Sequence, residues 1–146
     1  MRKQTFRLFF GVSLLVLLAV VSAGANSGIN VRATIPFDFT VGDKTLPAGT
    51  YTVRSINSYG VLAIRSEDYT QDTLIVTNAV EAQNEPEPAK LTFRKYGDLY
   101  FLAEVWGYDA GRDVTKSRKE RQVIRELRQH LAKGAAEPEL VYIAAN

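Results

Sequence analysis

Ile29-Asn30-Val31-Arg32-Ala33-Thr34-Ile35-Pro36-Phe37-Asp38-Phe39-Thr40-Val41 decides the fold class. Every odd position is apolar and, Pro36 apart, every even one is polar. Successive side chains of a strand point to opposite faces. The alternation therefore predicts seven side chains turned into a core, with Thr34 and its neighbours turned to solvent. Pro36 has no N–H to give to a ladder, so a bend or a sheet edge is expected there. Gly42-Asp43 and Leu46-Pro47-Ala48-Gly49 read as turns. Thr50–Ile56 and Val61–Arg65 read as further strands, parted by the turn Asn57-Ser58-Tyr59-Gly60.

Asp72–Val80 is apolar on both faces and is expected as one long central strand. Glu85-Pro86-Glu87-Pro88 reads as a solvated linker between two halves of the sheet system. Lys90–Tyr96 and Leu99–Trp106 flank Gly97-Asp98, whose composition suits a two-residue hairpin turn. Strands at roughly 8–12-residue spacing with Gly, Pro, Asn and Asp between them predict an antiparallel β-sandwich or small β-barrel. Ser117-x-x-Glu120 forms a capping box, Gly134 suits a left-handed C-cap, and Val123, Ile124, Leu127 and Leu131 make a narrow apolar stripe. One amphipathic helix is thus expected over about residues 117–133, packed on the sheet, with a last strand at Leu140–Ala144.

The start of the chain has a different character. Arg2, Lys3 and Arg7 precede an apolar run from Leu8 to Val21, broken only by Gly11 and Ser13. Ala23-Gly24-Ala25 then matches the small-residue pattern cut by signal peptidase. A membrane anchor would need about 20 apolar residues, more than this run supplies. A cleaved signal peptide over residues 1–25 is therefore expected, followed by a single β-rich domain over 26–146 in the periplasm or outside the cell. The leader carries three of the 18 Lys and Arg and none of the 16 Asp and Glu, leaving 15 bases against 16 acids. A near-neutral domain of about 120 residues can bury one core and gives no reason to expect a nucleic-acid partner. The chain has no Cys, hence no disulfide and no lipid-modified Cys anchor, and no glycosylation acceptor of the N-x-Ser/Thr kind.

Ile35-Pro36-Phe37-Asp38-Phe39-Thr40-Val41-Gly42, Leu46-Pro47-Ala48-Gly49-Thr50-Tyr51 and Tyr100-Phe101-Leu102-Ala103-Glu104-Val105-Trp106, with the Ser-Arg-x-Glu helix start at Ser117, resemble a family of small exported bacterial proteins that remains uncharacterised. The resemblance covers most of the chain after the leader. It implies an exported β domain and no chemistry; a cell-envelope partner is expected from the export signal instead. The Leu46–Tyr51 segment alone is also similar to turns of prealbumin-like and carboxypeptidase-regulatory-like sandwiches.

Catalytic motifs are missing. His130 is the one imidazole, it lies near the helix C-terminus, and a structural role is expected for it. Nucleotide-binding, zinc-protease and Ser-x-x-Lys patterns do not occur, so no catalytic residue, metal or cofactor is expected. Glu67, Asp68 and Asp72 lack the ligand spacing of a calcium loop and read as a solvated acidic turn.

Three readings remain. The preferred one is an exported, non-enzymatic domain that binds or scaffolds. The second is a lipid- or sugar-binding barrel or sandwich lined by Tyr96, Tyr100, Glu104 and Trp106, with Tyr108 nearby. The third is a hydrolase with Glu104 as its acid. Alternation would put Glu104 on one face with Tyr100, Leu102 and Trp106, where a carboxyl could be desolvated. Its partner carboxylate would be Asp38, although an ordinary ion pair of Glu104 with Arg94 or Arg32 is expected instead. On the helix, Arg118, Arg121, Arg125 and Arg128 line one flank and could meet an anionic surface. The segment 116–133 carries +5 and the rest of the exported domain −6, so the arginines are expected to meet the acidic remainder of their own domain.

Overall fold

The computed structural model describes residues 28–81, 88–130 and 137–146. The expected leader, most of the Pro-rich linker, Leu131 and Gly134 lie outside them. The described chain is mostly β, with two sheets and one helix, as the alternation predicted. The first sheet has the order β1 (Asn30–Ile35), β4 (Gly49–Ser55), β5 (Val61–Ser66), β6 (Asp72–Val76), all antiparallel. The second runs β11 (Glu139–Ala144), β8 (Lys90–Tyr96), β9 (Leu99–Trp106), β10 (Gly111–Asp113), β7 (Asn78–Val80). A short hairpin of β2 (Phe39–Val41) and β3 (Lys44–Leu46) joins the second sheet through a parallel contact, Thr40 beside Phe101. That parallel pairing departs from the wholly antiparallel expectation.

Its cause is the corner at Pro36. β1 ends there, and Pro36–Asp38 carry the chain from the first sheet to the second, so Pro36 lies just past an edge strand and at a bend. The period survives the corner. Ile29, Val31, Ala33, Ile35, Phe39 and Val41 are all buried, while Phe37 at the bend is only half-buried. Together with Tyr51, Val53, Leu62, Ile64, Leu91, Phe93, Leu102 and Val105 they fill the space between the sheets.

Asp72–Val80 is not one central strand. It breaks at Thr77 into β6 and β7, which are edge strands of different sheets. Ile75 packs on the core while Leu74 and Val76 face solvent at 61% and 69% exposure, which explains the two-sided apolar pattern. The corner is tight. Both the N–H and the hydroxyl of Thr77 donate to the Gly60 carbonyl, at 2.9 and 2.6 Å. Gly60 has φ +86°, and a Cβ there would lie 2.5 Å from the Thr77 carbonyl oxygen, so only glycine fits. At the other side, Arg32 and Asn146 exchange both backbone hydrogen bonds, at 2.8 and 3.0 Å, stitching β1 to the C-terminal end of the second sheet. The result is a sandwich with its rims partly sewn into a barrel.

β8 and β9 form the predicted hairpin around Gly97-Asp98, with Gly97 at φ +60°. Their register slips once: Thr92 faces Glu104 but Phe93 faces Leu102, leaving Ala103 as a bulge. The Ala103 carbonyl accepts from the Val114 N–H at 2.7 Å. The helix α1 (Arg118–His130) lies against the outer side of the second sheet, where Ile124, Val123 and Leu127 pack with Tyr96 and Phe101.

Candidate functional site

The bulge rearranges the residues that sequence alternation had grouped. Strict alternation would place Tyr100, Leu102, Glu104 and Trp106 on one face. With Ala103 inserted, Tyr100 and Leu102 belong to the core between the sheets, whereas Glu104 and Trp106 turn outward. The ring of Tyr100 stacks on Phe37 at 3.8 Å between centroids, and Phe37 meets Phe93 edge-on at 5.3 Å. Tyr96 also faces outward but is buried under the helix. The four residues expected to share a ligand face are therefore split over three environments, and Tyr108 is exposed in a separate loop.

Glu104 does not pair with Arg94 or Arg32. Its carboxylate accepts the indole N–H of Trp106 at 2.8 Å, and Arg32 binds Glu67 instead. Asp38, the expected second carboxylate, accepts the Ala48 N–H at 2.9 Å and ties down the Pro47 turn. The residue that sequence reading missed is Asp113, which sits directly across from Glu104 on β10. Cross-strand positions of this kind place Cβ atoms about 4.5–5.5 Å apart. No spacing rule could have found it, because β10 is three residues long and enters the sheet through a loop.

Arg94 is committed to a buried cluster. Its guanidinium binds both carboxylate oxygens of Glu120, Nε to Oε1 at 2.6 Å and Nη2 to Oε2 at 3.1 Å, and donates to the Val114 carbonyl at 3.0 Å. The Tyr96 hydroxyl donates to the same carboxylate at 3.1 Å. Glu120 is 1% exposed. Ser117 does cap the helix, its hydroxyl accepting the Glu120 N–H at 3.1 Å. The reciprocal half of the capping box is not made, because the Glu120 side chain turns inward to Arg94. Backbone and side chain of Lys119 add two ties to the β2–β3 hairpin, at Asp43 and Thr45.

Burial, reinforced by the Glu120 charge and hydrogen bond, pushes the Tyr96 hydroxyl up from 10.0 to about 12. A raised folded-state pKa means the folded protein holds this proton more tightly than the unfolded chain. The stabilisation is complete below pH 10 and is lost as pH rises through 12. Urea midpoints measured between pH 9 and pH 12 should fall in the wild type and fall less in Tyr96→Phe. Parallel falls in the two proteins would remove Tyr96 as the cause.

Among the described residues the helix arginines do not pair with the acidic remainder of the domain. Arg118, Arg121, Arg125 and Arg128 are exposed, and among the described residues none makes an ion pair; Arg121 donates to the Lys116 carbonyl at 2.6 Å. The apolar stripe does pack on the sheet, as expected. The acidic turn is dispersed among separate partners: Glu67 binds Arg32 and Asp72 binds Arg65. Asp68 accepts from Ser66 and Thr70, which holds its carboxyl below the usual range.

No protein-family model matches the chain, and neither does any curated protein or solved structure.

Proposed function

We propose that this chain is an exported, non-catalytic β domain that binds or scaffolds a partner in the periplasm or at the cell surface through its outer faces. The observation that carries the outer-face reading is the filled core. Phe37, Phe39, Tyr51, Phe93 and Tyr100 interlock ring on ring between the sheets, where an internal ligand of a barrel or sandwich would have to lie. The basic head, the apolar run and Ala23-Gly24-Ala25 support export, as does the resemblance to small exported bacterial proteins.

Intact mass of the protein recovered from the extracytoplasmic fraction should show loss of residues 1–25. Full-length chain in the membrane pellet would overturn export. A hydrolase reading has one observation in its favour, the Glu104–Asp113 neighbours. Two carboxyl groups at one place are what a glycosidase needs. Screening against polysaccharides with Glu104→Gln as control decides it, and Glu104-dependent turnover would overturn the non-catalytic reading.

A further inference from the structure

The outer face of the four-stranded sheet carries an arrangement that packing alone does not require. Arg32 on β1 lies directly across from Thr52 on β4, and Thr52 lies across from Arg65 on β5. Arg54 lies one strand step along β4, opposite Ala63. It is thus diagonal to both other arginines, with Cα atoms about 7–8 Å apart. Three long cationic side chains surround two short ones, Thr52 and Ala63, and the difference in length makes a depression of about 300 Å³.

Charge counting restricts the ligand. Arg32 is paired with Glu67, and Arg65 holds Asp72 through two N–H groups, at 2.7 and 3.1 Å. Arg54 has no ion-pair or hydrogen-bond partner among the described residues. Arg54 is therefore the one of the three arginines with no carboxylate beside it among the described residues, a single charge left for a ligand to meet. A single carboxylate matches that charge better than a dianionic phosphate, and a guanidinium fork fits it in bidentate geometry.

Tyr69 supplies the second half of the site. It lines the same depression at 78% exposure, with the Arg65 guanidinium 5.9 Å from its ring centroid. Its φ is +60°, a left-handed conformation costly for a bulky residue. The turn imposes it: the Ser66 N–H donates to the Gln71 carbonyl, the Gln71 N–H donates to the Ser66 hydroxyl, the Tyr69 N–H donates to the Ser66 carbonyl, and the Asp68 carboxylate clamps Thr70. Strain spent on holding an aromatic ring in solvent beside a cationic depression is the pattern of a ligand clamp. An aromatic face next to a carboxylate-binding fork suits a ring with one apolar side and one acidic substituent.

We infer that this depression binds an acidic polysaccharide, with Arg54 holding the carboxylate of a uronic-acid unit and Tyr69 stacking on its sugar ring. The inference rests on the reading of the chain as a binding domain and adds the place and the ligand class.

Titration of the protein, as recovered from the producing cells, with trigalacturonate tests it by calorimetry. Binding is expected that weakens with salt and drops about tenfold or more in Arg54→Gln. Tyr69→Gly should lose affinity similarly while its thermal midpoint holds or rises, because glycine relieves the φ strain. Arg125→Gln, on the far helix, should bind as wild type. Absence of trigalacturonate binding overturns the inference. Equal binding of neutral maltotriose, tighter binding of inorganic phosphate, capture by anionic vesicles alone, or unchanged affinity in Tyr69→Gly would each do so as well. None of those outcomes touches export or the non-catalytic reading, since neither processing nor turnover enters the titration.

Discussion

Glu120→Ala should destabilise the domain by about 3–5 kcal/mol, because it leaves the Arg94 guanidinium buried with no counter-charge. Arg94 is 9% exposed, so water cannot replace the lost carboxylate without opening the helix–sheet seam. The Tyr96 hydroxyl loses its acceptor in the same step. The apolar contact around the cluster is small: Ile124, Val123 and Leu127 against Tyr96 and Phe101. The ion pair therefore decides where the helix docks more than the stripe does.

Three variants separate the contributions. Glu120→Gln keeps hydrogen-bond acceptance through one oxygen and should fall between wild type and Glu120→Ala. Arg94→Met with Glu120→Leu removes both charges at similar volume and should recover most of the loss, since breaking one partner costs far more than replacing both. Urea midpoints give the ordering, and a far-UV signal would show whether the helix leaves before the sheets unfold. A loss below about 1 kcal/mol in Glu120→Ala would mean that the pair behaves as an exposed one, and the docking argument would fail.

Legibility in the sequence follows how local each cause is. The hairpin at Gly97-Asp98, the turn at Gly42-Asp43 and the cap at Ser117 are specified within a few residues, and all stand where the sequence placed them. Alternation from Ile29 to Val41 named the core face correctly, because a period of two survives a corner that neither adds nor removes a residue. The Ala103 bulge adds one, which turned the Tyr100–Trp106 grouping inside out. Asp72–Val80 was misread for a related reason. Apolar residues on both sides of a strand mean burial on both sides only if the strand stays in one sheet, and this one changes sheets at Thr77. Glu120 belonged to a recognisable capping box, yet its partner is 26 residues away on a strand. The arginine depression is less legible still, since β1, β4 and β5 must be laid side by side before Arg32, Arg54 and Arg65 become neighbours.

Phe39→Ala should cost about 3–5 kcal/mol, the range for large aromatics removed from cores. Phe39 is 1% exposed, and its ring meets Tyr51 edge-on at 5.1 Å and Phe93 at 5.5 Å. It is the first core residue after the Pro36 corner, so it fixes where the second sheet begins to receive the chain. Truncation would leave a cavity that the rigid corner cannot close, and the residual cavity is what raises the cost above simple transfer. Phe37→Ala should cost less, because Phe37 and the Tyr100 it stacks on are both only half-buried. Thr34→Ala on the outer face of β1 loses one exposed hydroxyl contact to Thr50 and should stay within about 0.5 kcal/mol. Chemical denaturation of the three variants reads the ordering directly. Equal losses in Phe39→Ala and Thr34→Ala would mean that β1 and β2 do not share one inward face across the corner, and the sandwich would have to be redrawn from that point.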